Sequence, residues 1–135
     1  MTRTIDTELL ERLKTLRSRA YAPYSDHPVA VIVEAASGER FGGTNVEVAH
    51  FKSQCAEASA ISAMIGAGDH DIKHVWILGP RAIPCAPCGD CRQRLREFGE
   101  DATLVYAVDD SGNILLERTL SQLLPDSFGP DNLSD

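Results

Sequence analysis

Residues 55–68 read CAEASAISAMIGAG, and this stretch is the part of the sequence that most strongly indicates the fold. Nearly every residue after Cys55 is small and apolar, as in a helix that packs against neighbours on two sides. Gly66 and Gly68 supply the end signal, because glycine commonly follows the last turn of a helix. The stretch therefore predicts a buried helix that begins at Cys55.

Strands and helices alternate on either side of this helix. Apolar residues at helical spacing predict a first helix that begins after Asp6 or Thr7 and runs to about Ala20. β-branched runs bounded by turn signals predict strands at 29–36, 41–46, 74–78, 102–108 and 113–116, and further helices are predicted at 91–98 and 119–124. This order predicts an α/β protein, a three-layer α/β/α sandwich around a five-stranded mixed sheet. The 135 residues suit one domain, 1–135.

The balance of charge argues against a polynucleotide partner. With 13 Lys and Arg against 20 Asp and Glu, the chain has a formal net charge of −7. Proteins that grip nucleic acids need cations to displace counterions from the phosphate backbone. A basic cluster lies on the polar side of the first predicted helix, where a solvated surface is the expected role: Arg12, Lys14, Arg17 and Arg19. We expect no nucleic-acid partner.

The cysteines require a chemical explanation. The opening MTRTIDTELLERL contains no continuous apolar stretch, so we expect neither a secretory signal nor a membrane partner, and hence a cytoplasmic protein. In a reducing compartment the four cysteines are poor candidates for disulfides. Cys-x-x-Cys spacing in that setting indicates metal or redox chemistry.

The segment Pro87-Cys88-Gly89-Asp90-Cys91 places two thiols on a turn that enters a helix, where backbone N–H groups and the helix dipole favour thiolates. By itself this spacing leaves structural, redox and catalytic roles open. A dithiol oxidoreductase needs no third cysteine, whereas a zinc site does, and Cys55 also begins a predicted helix. Three convergent thiolates favour zinc.

Glu57 adds a catalytic feature to this metal pattern. It stands two residues after Cys55, placed to reach the open fourth position of the ion. A catalytic zinc keeps such a position for water. A Cys or His, one spacer and a non-ligating Glu, followed later by Pro-Cys-x-x-Cys, is the pattern of zinc deaminases. The pattern predicts that Glu57 transfers protons.

The chain carries this motif and resembles the small cytidine deaminases from about Tyr21 to its end. Further landmarks occur in family order: YAPYS at 21–25, GTNVE at 43–47, PCGDCRQ at 87–93, LLP at 123–125 and FGP at 128–130. The resemblance implies zinc-dependent hydrolytic deamination of cytidine or 2′-deoxycytidine in pyrimidine salvage. It also implies one Zn²⁺ per chain and a cytoplasmic homotetramer.

The resemblance implies further roles for individual residues. Asn45 and Glu47 match the family residues that bind the ribose 3′-hydroxyl, and Ala56 is also expected to contact the substrate. Many relatives carry Arg after the catalytic Glu to offset thiolate charge, but this chain has Ala58 there. Arg92 is therefore expected to supply more of that compensation.

The chain departs from the family at the wall expected to lie against the pyrimidine. His27 stands where relatives carry Phe, and Ala30 stands where they carry Gly. Because an imidazole can donate or accept a hydrogen bond, we expect a preference for a base with an extra polar group. The loop before Cys55 is one residue short, and Phe51 falls near a family Tyr that reaches a neighbouring subunit's site. His27 and Phe51 are thus expected substrate contacts.

Two alternatives remain. One is deamination of a modified or antibiotic cytosine nucleoside such as blasticidin S, although Asn45 and Glu47 favour an ordinary ribose. The other is a non-catalytic zinc module in which Cys85 completes a four-cysteine site. The expected role of Cys85 is instead that of a small buried hydrophobe.

Overall fold

The computed structural model describes residues 3–134. Five strands and four α-helices alternate along the chain. The helices are α1 (Thr7–Arg19), α2 (Ala56–Gly66), α3 (Gly89–Phe98) and α4 (Leu120–Leu123), and a 3₁₀ turn (Pro130–Asn132) follows them. The strands are β1 (Ala30–Ala35), β2 (Arg40–Thr44), β3 (Ile72–Leu78), β4 (Leu104–Val108) and β5 (Ile114–Thr119). None of the helices within residues 3–134 has the length and apolar character needed to span a bilayer.

The five strands form one mixed sheet in the order β2-β1-β3-β4-β5. β1 is antiparallel to both β2 and β3, β3 and β4 are parallel, and β4 is antiparallel to β5. The parallel pair requires a crossover, and α3 lies in the segment that provides it. The carboxyl end of β3 therefore leads into the loop that carries Cys85 and Cys88.

Alternate residues of the central strands point to two separate apolar cores. Ile32 and Trp76 face α1, where they pack with Leu9 and Leu13. Val33 and Val75 point the other way. That second core contains residues of the remaining helices, namely Ala56, Ala60, Ile61, Met64, Leu95, Leu120 and Leu123. A sheet covered by helices on both faces confirms the predicted three-layer α/β/α sandwich.

Helix α2 lies close to the sheet because β2 contains a glycine at the crossing point. A Cβ atom at Gly43 would lie 2.6 Å from the Ala56 carbonyl oxygen and closer still to the Ala60 nitrogen. The predicted burial of α2 on two sides is wrong for the single chain: Ser62 and Ile65 on its outer side are exposed. The sheet covers one side only, so the apolar outer side lacks a covering layer.

Several predicted boundaries need correction. The helix predicted from Cys91 begins at Gly89, because Cys88 occupies the N-cap position and Asp90 lies in the first turn. The last strand runs on to Thr119, which then caps α4 in a capping box with Gln122. Side-chain capping by Thr119 sets the start of α4, whereas Cys88 makes no side-chain capping hydrogen bond at the start of α3.

Candidate active site

Three of the four cysteines meet at the N-termini of two helices. Cys55 is the N-cap residue of α2, Cys88 is the N-cap residue of α3, and Cys91 lies in the first turn of α3. Their sulfur atoms all lie within 4.8 Å of one another. Cys85 does not belong to this cluster in the described part of the chain. The geometry therefore provides a three-thiol site and argues against a closed four-cysteine site.

The electrostatics of the cluster favour a bound cation. Burial raises the pKa of the Cys55 thiol, and burial together with the charge of Glu57 raises the pKa of Cys91. Three thiolates at this spacing repel one another unless a cation compensates them, although the two helix dipoles help. Zn²⁺ binds thiolates and stabilises their deprotonated form. The donor set therefore fits one zinc ion.

Glu57 is a buried carboxyl in the first turn of α2, with 5% of its surface exposed. Burial raises the pKa of this carboxyl, and contact with the Cys91 thiol opposes that shift. Its side chain lines the cavity that Cys55 and Cys88 also line. This position lets a carboxyl act on a molecule bound next to the three thiols.

The cavity has a volume of about 390 Å³, within the usual range of small-molecule sites. It is lined by Ser25, His27, Val29, Asn45, Glu47, Cys55, Ala56, Glu57, Ile77, Cys85, Ala86 and Cys88. The structure thus brings most of the predicted site residues to one cavity. The exceptions are Cys91, which lies behind the lining in the thiol cluster, and Phe51 and Arg92.

Asn45 holds the segment that carries His27. Its side-chain Oδ1 accepts a hydrogen bond from the Val29 amide at 2.9 Å, and its Nδ2 donates to the His27 carbonyl at 3.0 Å. An amide side chain has two donors and two acceptor positions, so each end of Asn45 retains capacity for a ligand. Asn45 therefore shapes the cavity wall and can still bind a hydroxyl.

Glu47 organises the chain before His27. Its carboxylate accepts hydrogen bonds from the amides of Tyr24 at 3.0 Å and Ser25 at 3.1 Å, and from the Ser25 hydroxyl. These hydrogen bonds lower the pKa of Glu47, and the bond from the Ser25 hydroxyl has the largest effect. Ser25 in turn accepts from the His27 amide at 3.1 Å. Glu47 is therefore an ionised acceptor at the cavity rim.

Two residues predicted for the site belong neither to the cavity lining nor to the thiol cluster. Phe51 is 81% exposed, and its ring meets Tyr24 edge-on with centroids 6.2 Å apart. Arg92 donates hydrogen bonds to the carbonyl oxygens of Pro87 at 2.9 Å and Leu123 at 2.8 Å. These bonds fix the loop that enters Cys88 and do not reach a thiol.

The structure reveals contributors that sequence reasoning missed. Arg94 pairs with Asp90 at 2.9 Å, and this ion pair raises the pKa of its guanidinium, with smaller contributions from Cys91 and Cys55. Cys85 is not the plain buried hydrophobe that was expected, because it lines the cavity with its Sγ 3.9 Å from His27 Nε2. Ser25 appeared in the sequence only as part of a landmark. No pattern in the sequence predicted that the Ser25 side chain contacts Glu47.

A three-thiol cluster and a buried carboxyl beside a ligand-sized cavity define a zinc-dependent deaminase. Residues 3–108 match the family model for the cytidine and deoxycytidylate deaminase zinc-binding region. The chain belongs to this family. It is accordingly a hydrolase whose cofactor is Zn²⁺.

Individual relatives agree with this placement. The chain is 34% identical to a cytidine deaminase of Sporosarcina psychrophila, over 94% of this chain and 93% of that protein. It is 31% identical to a cytidine deaminase of Mycoplasma genitalium, over 89% and 92% of the two chains. The crystal structure of a cytidine deaminase from Burkholderia pseudomallei superposes with a TM-score of 0.82 at 33% identity, covering 92% of this chain and all of that one.

Proposed function

We propose that the chain hydrolyses the amino group of cytidine and 2′-deoxycytidine, or of a close analogue, to give the uracil nucleoside and ammonia. The observation that carries this proposal is a single cavity whose lining includes both the metal and proton-transfer residues and the two sugar-binding candidates: Cys55, Cys88, Glu57, Asn45 and Glu47. This arrangement matches a ligand with a reactive amidine at one end and a hydroxylated sugar at the other.

Each group has a definite role in this proposal. Cys55, Cys88 and Cys91 ligate zinc, which when bound supplies a Lewis acid that lowers the pKa of water toward neutrality. Asn45 and Glu47 hold the ribose 3′-hydroxyl, which can donate to the Glu47 carboxylate. These sugar contacts fix the base in position, and such positioning lowers the entropic part of the barrier.

Glu57 transfers the protons. Its carboxylate accepts a proton from water and delivers it to N3 of the cytosine, which makes C4 electrophilic. The water oxygen bonds to C4, and Glu57 then takes the second proton from the resulting C4 hydroxyl and delivers it to N4. The C4–N4 bond breaks, ammonia leaves, and the C4 carbonyl of the uracil forms. Ala56 begins α2 and lies in the same cavity wall, so it borders the N3 edge of the base with Glu57.

The cellular and oligomeric context belongs to the same proposal. Free cytosine nucleosides arise from nucleotide breakdown, so the reaction serves pyrimidine salvage in the cytoplasm, where thiol ligands stay reduced. We also place the chain in a homotetramer, in which the exposed Phe51 of one subunit reaches the site of another.

The reaction is tested with zinc-loaded protein and three substrates: cytidine, 2′-deoxycytidine and blasticidin S. Ammonia release is measured together with the uracil product by chromatography. We expect equal amounts of uridine and ammonia from cytidine. Release from blasticidin S alone would show that the substrate is the antibiotic nucleoside, and no release from any of the three would refute the proposal.

The ligand assignment is tested with a matched pair of variants, Cys55→Ser and Cys85→Ser. Both replace one cysteine that lines the same cavity. Zinc content per chain, measured by elemental analysis, should fall in Cys55→Ser and stay near one in Cys85→Ser. Loss of zinc in Cys85→Ser with retention in Cys55→Ser would overturn the assignment.

A further inference from the structure

A second cavity of about 280 Å³ lies beside the substrate cavity. We call it the side pocket; it is formed by His27 and by residues of the loop 79–86 that follows β3. His27, Cys85 and Ala86 line both cavities. The two spaces are therefore separated by one thin wall made of these three side chains.

The wall depends on a weak contact. His27 Nε2 lies 3.9 Å from Cys85 Sγ, and sulfur forms only weak hydrogen bonds. Cys85 can pack against residue 79 because glycine has no side chain there: a Cβ at Gly79 would lie 2.7 Å from the Cys85 Cβ. Arg17 holds the Gly79 carbonyl at 2.7 Å, which fixes the start of the loop. The frame of the side pocket is thus held firmly, while the His27–Cys85 contact is easily separated.

The orientation of the base follows from the proposed function, on which this inference rests. C4 must face the thiols and Glu57, the sugar must lie near Asn45, and N3 must face Glu57. One edge of the pyrimidine, that of C5 and C6, then remains for the opposite part of the cavity lining. Among the polar side chains that line the cavity, His27 and Cys85 are the two that neither these assignments nor the Ser25–Glu47 hydrogen bond uses.

The lining of the side pocket favours an oxygen acceptor. Arg81 is exposed and lines it, and no hydrogen bond or ion pair of its side chain occurs within residues 3–134. A guanidinium only donates hydrogen bonds, a thiol donates weakly, and an imidazole can donate. Gly79, Pro80 and Ile83 supply the rest of a compact surface. A short substituent that ends in oxygen complements these groups.

We propose that the side pocket is a subsite for an oxygen-bearing substituent at C5 of the cytosine ring, entered through the wall formed by His27 and Cys85. The class of substrate is cytosine nucleosides with a hydroxymethyl, formyl or carboxyl group at C5. Such a substituent replaces the His27–Cys85 contact with its own hydrogen bonds and meets Arg81 beyond the wall.

The test compares 5-hydroxymethylcytidine with 5-ethylcytidine, which has nearly the same shape but no acceptor. kcat/KM is measured for both and for cytidine with zinc-loaded protein. The wild type should prefer the hydroxymethyl compound by about 10-fold, as one hydrogen bond to a charged group provides. Arg81→Gln should reduce that ratio several-fold, while the control Arg19→Gln on the exposed end of α1 should leave it unchanged.

A second variant tests the space itself. Ile83 lines the side pocket but not the substrate cavity, so Ile83→Trp should lower kcat/KM for both substituted nucleosides and leave cytidine unaffected. Thr15→Trp, on the exposed surface of α1, is the control for added bulk. Any of three results would overturn the subsite: a wild-type ratio near one, a ratio that Arg81→Gln does not reduce, or values for both substituted nucleosides that Ile83→Trp does not lower relative to cytidine. If cytidine itself is not deaminated, the proposed function fails. The subsite can still be tested by calorimetry, with the ratio of the binding constants of 5-hydroxymethylcytidine and 5-ethylcytidine in place of the ratio of kcat/KM.

Discussion

Within residues 3–134, two polar or charged side chains are buried in the chain, and they differ in what holds them. Thr103 donates to the Ile72 carbonyl at 2.9 Å and accepts from the Glu100 amide at 2.8 Å, as a structural hydroxyl does. Glu57 instead lies beside the three thiols, and burial raises the pKa of its carboxyl, an effect that the nearby Cys91 thiol partly opposes. A carboxyl with so little compensation costs stability, and sites that tune proton transfer are where such groups concentrate. This contrast supports the proton role proposed for Glu57.

The first prediction at this scale concerns Glu57→Gln. The amide has almost the same shape but cannot accept and release a proton, so kcat for cytidine should fall by about 10² to 10⁴-fold. Zinc content and the melting temperature should not fall, because the amide keeps the volume and removes a buried charge. Glu8→Gln, on the exposed surface of α1, is the matched control. Turnover within a few-fold of wild type would remove Glu57 from the mechanism.

The site residues that could be predicted from the sequence are those whose relative positions depend on local spacing along a helix. Cys88 and Cys91 are three residues apart at one helix start, and Glu57 follows Cys55 by two at another, so helix geometry alone sets each pair. Cys85 differs, because its place depends on Gly79 and on the path of an irregular loop. No periodic pattern encodes that contact, and only the folded chain reveals it.

At the scale of elements, the site depends on how closely α2 approaches β2. Cys55 and Glu57 stand at the first turn of α2, and Gly43 faces the same turn from the sheet. A side chain at position 43 would collide with the backbone of α2, and backbone atoms cannot relieve a collision by changing rotamer as a flexible side chain can. The separation of sheet and helix therefore sets the position of one thiol and the carboxyl together.

The second prediction follows from that close approach. Gly43→Ala should lower the free energy of unfolding by about 1 to 3 kcal/mol, the usual cost of overpacking. It should also lower kcat for cytidine, because α2 must move. Gly66→Ala is the control: its Cβ meets nothing within 4 Å, and alanine favours the helix by about 0.5 to 1 kcal/mol. Denaturant unfolding of both proteins checks this, and a Gly43→Ala protein as stable and active as Gly66→Ala would contradict it.

Element types were predictable here, while their ends were less so. The alternation of apolar runs sufficed for five strands and the three longer helices, because burial on a sheet face imposes period two and burial on a helix stripe imposes 3.6. The sequence did not predict the end of β5, because residues 116–119 include charged side chains and are partly exposed at the edge of the sheet. Edge strands need less apolar character, so their sequence pattern is weaker.

At the scale of the whole molecule, exposed apolar side chains lie at several places, among them Ile65 on the outer side of α2. The outer sides of α2 and α3 enclose a groove of about 670 Å³, larger than the substrate cavity. Its lining combines the apolar Ile61, Ile65 and Phe98 with charged residues such as Arg94 and Glu97. This groove contains no thiol and no buried carboxyl. Phe51 is exposed as well, on the side of the chain that carries the substrate cavity. Apolar faces of this kind commonly mark contacts with other chains.

The last prediction is that four copies of the chain cover these surfaces. Light scattering should give about four times the chain mass of 14.7 kDa. Ile65→Glu places a charge in the groove and should reduce the mass and the activity together, whereas Thr15→Glu on the exposed surface of α1 should change neither. Phe51→Ala should keep the tetramer but lower kcat/KM for cytidine, because its ring is proposed to complete the neighbouring site. A monomer with full activity would refute both the assembly and this role of Phe51, since a complete site in one chain needs no neighbour.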